Sequence, residues 1–277
     1  MAMTYMRKIR HAQTICWWLS IDNSSPFILR QERRDKRFAR DHGVAHGAWA
    51  PNRRVAIERR ILSVYPFERY LRDALHIAQS AYARAYLQTH LGLCASIVSD
   101  YIPRDELGFS DEARDGSRRR SVAFNPGKSP WLPDVLGPRL PDVEWDPIVG
   151  LDRRGVVRLL SSSAMYFDAG YHPGRDRMPR EAAMLRAVTI VARRGAAAYW
   201  EDVPIEARFK VSQGSAFVDE AVARVREALD DRERAVGLQE TYRDWIANDR
   251  QRFGLEVRRA FIAGSWEDDT PILPARG

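Results

Sequence analysis

Apolar residues recur at helical spacing through most of this chain. Between residues 67 and 102, Phe67, Leu71, Leu75, Ala78, Tyr82, Tyr86 and Leu93 fall three, four or seven apart. That period gathers them on one helix face. Charge is scarce from Ile77 to Val98, so this face belongs to the core. Earlier, Phe27 to Arg40 carries a thinner stripe, and Asn52 is placed to cap a helix through "RRVAIERRILSVY". Later, "RRGVVRLLSSSAMYFDAGY" reads as a helix capped by Asp152, and "PREAAMLRAVTIVARRGAAAYWED" as one that starts at Pro179. From Ser215 a long helix is predicted, with Val218, Val222, Val225, Leu229 and Val236 near heptad spacing; Arg232 and Gln239 interrupt its seam. A short helix over "LEVRRAFIAGSW" ends the pattern.

The fold class this predicts is mainly α, with about six to eight helices in a multi-helix globular body. Four segments follow from it. Residues 1–52 form a basic N-terminal segment, and 53–102 the first part of a helical core. Residues 103–150, rich in proline and glycine, read as an irregular loop or linker, and 151–277 form the second part of the core.

Composition agrees with a globular protein: 45% of residues are hydrophobic and 10% aromatic, which excludes general disorder. Two cysteines, Cys16 and Cys94, lie in apolar surroundings and make no disulfide framework, which points to reduced thiols in the cytoplasm. No apolar run reaches the roughly 18 residues of a spanning helix, so no membrane partner is expected.

Charge changes the picture. The first 60 residues hold 13 Lys+Arg against 5 Asp+Glu; the remainder holds 44−13 = 31 against 37−5 = 32. The whole excess of the net +7 therefore sits in the first fifth of the chain, as in proteins that face a polyanion. In "RQERRDKRFAR", helical spacing puts Arg30, Arg33, Arg34 and Arg37 on one face, with Arg40 close by. Arg53 and Arg54 follow in "PNRR", and Arg118, Arg119 and Arg120 in "DGSRRRS". Guanidinium groups clustered in this way suit phosphate. The function these residues predict is non-enzymatic nucleic-acid binding, DNA or RNA, by a subunit of a larger nucleoprotein complex. No cofactor is called for. A structural subunit whose basic arm docks an acidic protein partner is an alternative.

Two smaller constellations carry other chemistry. Arg84 and His90, in "RAYLQTH", resemble the Arg–His motif of HEPN-type ribonucleases, although Ala85 stands where that motif usually has a polar residue. The resemblance implies an all-helical ribonuclease in which the His moves a proton and the Arg steadies phosphate charge. Asp142, Glu144 and Asp146, in "PDVEWDP", would point the same way on an extended chain and offer oxygen ligands to Mg²⁺ or Ca²⁺. His42 and His46 are four apart, but Gly43 and Gly47 disfavour the helix that would bring them to one metal.

Overall fold

The computed structural model describes residues 9, 11–21, 73–103 and 118–262. The basic face of Arg30, Arg33, Arg34, Arg37 and Arg40, the pair Arg53 and Arg54, and His42 and His46 lie outside the described residues.

The body is α/β, which corrects the mainly-α expectation. The described residues contain two wholly parallel sheets. The first has the order β1 (Ile15–Trp18), β2 (Leu75–Ala78), β3 (Ser96–Ile97), with Ile15 opposite Leu75 and Ile77 opposite Ser96. The second comprises β4 (Arg119–Phe124), β5 (Glu144–Pro147), β6 (Ser163–Asp168), β7 (Val188–Ala192) and β8 (Lys210–Val211). Its spatial order is β5-β4-β6-β7-β8, with Val122 opposite Met165 and Met165 opposite Val188.

The helices fill the crossovers. Helix α1 (Ala81–Tyr86) follows β2 and runs into a π-helical turn, Leu87–Leu91. Helix α2 (Leu132–Leu136) joins β4 to β5, α3 (Arg153–Ser162) joins β5 to β6, and α4 (Arg177–Met184) joins β6 to β7. After β8 come α5 (Phe217–Asp230), α6 (Arg232–Gly237), α7 (Glu240–Ala247) and α8 (Asp249–Phe261).

Every residue of β6 and β7 is buried. Val122, Phe124, Met165 and Phe167 join Leu132 and Leu136 of α2 and Phe217, Val222 and Val225 of α5 in the main core. Ala123 and Tyr166 point the other way, onto Val156 and Leu160 of α3 and Ala182 next to Leu185 at the end of α4. The sheet is thus covered on both faces, as parallel sheets require. Helix α8 crosses back to the first sheet: Phe253, Val257 and Ala260 pack on Ile77 and Val98. Its Glu256 Oε2 accepts hydrogen bonds from the Ser99 N–H at 2.8 Å and the Ser99 hydroxyl at 2.5 Å. Among the described residues no helix is long and apolar enough to cross a membrane.

Candidate functional site

In an open parallel sheet, ligands bind outside the carboxyl ends of the strands, where the strand order reverses. Here the first strand, β4, has its successor β5 on one side and the third strand, β6, on the other. The reversal therefore lies between β4 and β6, and the loops leaving those two strands build the site.

The loop after β4 is a tight turn. Asn125 Oδ1 accepts the Gly127 N–H at 2.9 Å, and the Asn125 carbonyl accepts the N–H groups of Lys128 and Ser129. This turn delivers Lys128. β6 ends on Asp168, and the loop after it runs through "AGYHPGRD" to Asp176, the N-cap of α4. It is threaded closely past its neighbours. A Cβ on Gly170 would stand 2.6 Å from the Lys128 Cβ, and one on Gly174 would stand 2.3 Å from Gln79 Oε1. Gly195, in the loop after β7, has φ +59°, and its Cβ would come within 2.2 Å of the His172 carbonyl oxygen. That contact is a backbone bridge: the Ala196 N–H donates to the same carbonyl at 2.9 Å. The Arg194 guanidinium lies 3.8 Å from the centre of the Tyr171 ring. The loop also reaches the first sheet, where the Ile21 N–H donates to the Pro173 carbonyl.

Four ionisable side chains converge there. Lys128 Nζ lies 3.1 Å from Asp168 Oδ2 and is also bonded to Asp176 Oδ2. Asp168 is fully buried; it accepts the Tyr166 hydroxyl at 3.0 Å and the Gly170 N–H at 3.0 Å. His172 is fully buried too, with Nε2 3.5 Å from Asp168 Oδ2 and Nδ1 3.5 Å from Asp176 Oδ2. Both contacts are longer than an ordinary hydrogen bond, and neither ring nitrogen has a closer partner.

The electrostatics follow from burial and from these neighbours. Burial pushes the Asp168 carboxyl up, but His172 and Lys128 beside it outweigh burial and hold it well below the usual carboxylate range. Burial favours neutral Lys128, yet Asp168 and Asp176 keep its ammonium more basic than usual. Burial, then Asp168, raises the Tyr166 phenol well above its ordinary value. Asp168, His172 and Asp176 each offer one ligand atom, all within 4.8 Å of one another, so among the described residues they are the group that could hold a metal ion.

A second buried layer supports the loop. Arg175 bonds Asp249 at 2.6 Å and lies against Trp245, while Arg180 bonds both Asp249 and Asp100. From the β7–β8 connection, Asp202 accepts the N–H groups of Ala81 at 2.8 Å and Tyr82 at 2.9 Å, at the start of α1. Burial pushes that carboxyl up to about 6 against the pull of those two bonds.

The residues singled out from sequence are placed elsewhere. Arg118 is partly buried and donates to the carbonyls of Leu160, Ser163 and Leu185, at the ends of α3 and α4. Burial, then Arg232 and Arg186, lowers its pKa to about 10. Arg119 pairs with Glu144 at 3.0 Å and Asp146 at 2.7 Å, and Arg120 with Asp142 at 2.9 Å and Asp230 at 2.8 Å. Asp142, Glu144 and Asp146 are therefore shared between two arginines. Arg84 lies on α1, and His90 is exposed in the π-helical turn, its ring 4.5 Å from that of Tyr86. Cys16 and Cys94 are free, and Cys94 is exposed.

Lys128, Asp168, His172 and Asp176 were missed. A signal existed: each loop begins where a short apolar run, "SVAF" or "AMYF", meets polar and turn-forming residues.

No family model matches the chain, and no curated protein does. It is similar to solved structures. One is AviGT4, a glycosyltransferase involved in avilamycin A biosynthesis, at 20% identity and a TM-score of 0.44 over 69% of this chain. Another is a glycosyltransferase from Rickettsia africae, at 10% identity and a TM-score of 0.49 over 86% of this chain. The chain spans 64% of the length of the first and 83% of the second.

These findings correct the functional expectation. The frame is α/β, and Arg118, Arg119 and Arg120 are engaged by the chain's own carbonyls and carboxylates. The reading as a non-enzymatic nucleic-acid-binding subunit is overturned. The all-helical frame implied by the ribonuclease resemblance is absent from the described residues as well, and with it goes that reading.

Proposed function

We propose that this chain is an enzyme that takes a phosphorylated ligand into the crevice above the carboxyl ends of β4 and β6, and that it transfers a glycosyl group. The observation that carries ligand uptake is the placement of Lys128 at the point of strand reversal, on a turn that follows β4. Its side chain is one-quarter exposed, while Asp168 behind it is fully buried. The side chain is thus open to solvent in part, while its ammonium has a fixed anionic anchor. A positioned cation of this kind stabilises charge that develops on a departing phosphate. The reaction class is that of the similar structures; the support for a ligand comes from this chain's geometry. We also place the chain in the cytoplasm, where the free thiols Cys16 and Cys94 stay reduced.

The test is a panel of nucleoside-diphosphate sugars offered to the full chain. One of them should raise the melting temperature, and nucleoside diphosphate should be released on turnover. Lys128→Met should lower turnover by about 10²–10³-fold, the usual cost of losing one such donor. If no sugar nucleotide stabilises or is consumed by the wild-type chain, the proposal fails.

A further inference from the structure

We propose that Asp168, His172 and Asp176 form a divalent-cation site of the zinc or manganese class, which exchanges with the Lys128 ammonium. The inference rests on the crevice reading for its setting but not on the reaction class.

Three observations converge. First, the donor set is complete for a mixed oxygen and nitrogen site: two carboxylates and one imidazole, with ligand atoms within 4.8 Å of one another. Zinc bonds of about 2.0–2.2 Å put neighbouring ligands roughly 3.3–3.5 Å apart. His172 Nε2 lies 3.5 Å from Asp168 and Nδ1 3.5 Å from Asp176, so whichever ring nitrogen takes the ion already stands at that spacing from one carboxylate. Second, His172 is fully sequestered, yet each ring nitrogen stops 3.5 Å from its carboxylate, short of a well-formed hydrogen bond. A buried imidazole ordinarily makes close hydrogen bonds, and one held at this distance from two carboxylates calls for an explanation. Third, one ammonium cancels only one of two carboxylate charges. A divalent ion would cancel both.

The exchange is mechanically simple. Asp168 and His172 are fixed in the buried loop, whereas Lys128 is the most exposed of the four and sits on a flexible stem. When the ion enters, Lys128 turns outward into the crevice, where a phosphate group receives it. Cation and phosphorylated ligand therefore favour one another's binding.

Zinc alone, titrated into the full chain against a fluorescent chelator, tests this. Wild type should take up one Zn²⁺ with Asp176→Asn at least tenfold weaker, since Asp176 is the outermost carboxylate. Lys128→Met, which removes the competing ammonium, should bind at least tenfold tighter. Absence of stoichiometric zinc in wild type overturns the site. So does zinc uptake that Asp176→Asn leaves unchanged, because the ion is then held elsewhere. If Asp176→Asn does not fold, an unaltered affinity in Lys128→Met overturns it. Sugar-nucleotide binding measured in excess chelator reports the crevice separately, so failure of the metal site and failure of the enzyme reading are distinguishable.

Discussion

At the scale of residues, two positions show how closely the loops around the site are specified. Gly195 has a left-handed backbone, and the His172 carbonyl occupies the space where a side chain would begin. Gly195→Ala combines the cost of a positive φ with a clash against backbone that the Ala196 bond holds in place. A loss of more than about 2 kcal/mol is expected, read as a lowered urea midpoint. Lys210 is the second case. It is buried at the start of β8, and its Nζ donates to the Tyr199 carbonyl at 3.1 Å. Burial, then the Arg193 charge, lowers its pKa to about 8 from an ordinary 10.5. The folded state thus favours the neutral amine. That contribution is complete above pH 10.5, fades as pH falls to 8, and is gone below it. Lys210→Met cannot be protonated, so its stability relative to wild type should rise as pH falls through that window, by up to about 3 kcal/mol. Denaturation at pH 7 and pH 10.5 checks it; a pH-independent difference would show that the lysine is not desolvated.

At the scale of elements, the second sheet explains which parts of the sequence pattern were readable. The helices were: α5 buries Phe217, Ala221, Val222, Val225 and Leu229 on one face, close to the predicted stripe. The strands were not. β6 and β7 are buried on both faces, so "SAMYFD" and "VTIVA" show no alternation and merge with the helical residues beside them. β4 was hidden for another reason, being a six-residue run between the proline- and glycine-rich stretches of residues 103–150. The site went unread with the strands, because its residues are defined by strand ends. Gln239 is instructive. In sequence it interrupts a helical seam; in the fold it stands between α6 and α7, where the long predicted helix breaks. Its Oε1 accepts the Thr189 N–H at 3.0 Å, and its Nε2 donates to the Thr189 carbonyl at 2.8 Å. β8 pairs only with Val191 and Ala192, so this one side chain continues the ladder along β7. Gln239→Leu would leave two buried backbone groups unbonded. We expect it to cost about 2–4 kcal/mol despite the better helix former, seen in chemical denaturation.

At the scale of the whole molecule, the two sheets are joined by contacts that differ in kind. Asp202 bonds the start of α1, the Arg175–Asp249–Arg180–Asp100 network ties α4 and α8 to the end of the first sheet, and α8 lays an apolar face on Ile77 and Val98. With so much buried between them, neither sheet keeps its surroundings if the other unfolds. A single calorimetric transition is expected, with calorimetric and van't Hoff enthalpies in agreement; two resolved transitions would contradict this coupling. The return of α8 has a consequence in time. Ser99 and its partner Glu256 are 157 residues apart in the chain. At a synthesis rate of about 5–20 residues per second, the ribosome needs roughly 8 to 30 s to make that intervening length. Through that interval Ile77 and Val98 await their cover, and the nascent chain presents an apolar patch with unpaired strand edges. The yield of folded protein should therefore depend on holdase chaperones and on low growth temperature, more than the stability of the finished molecule would suggest.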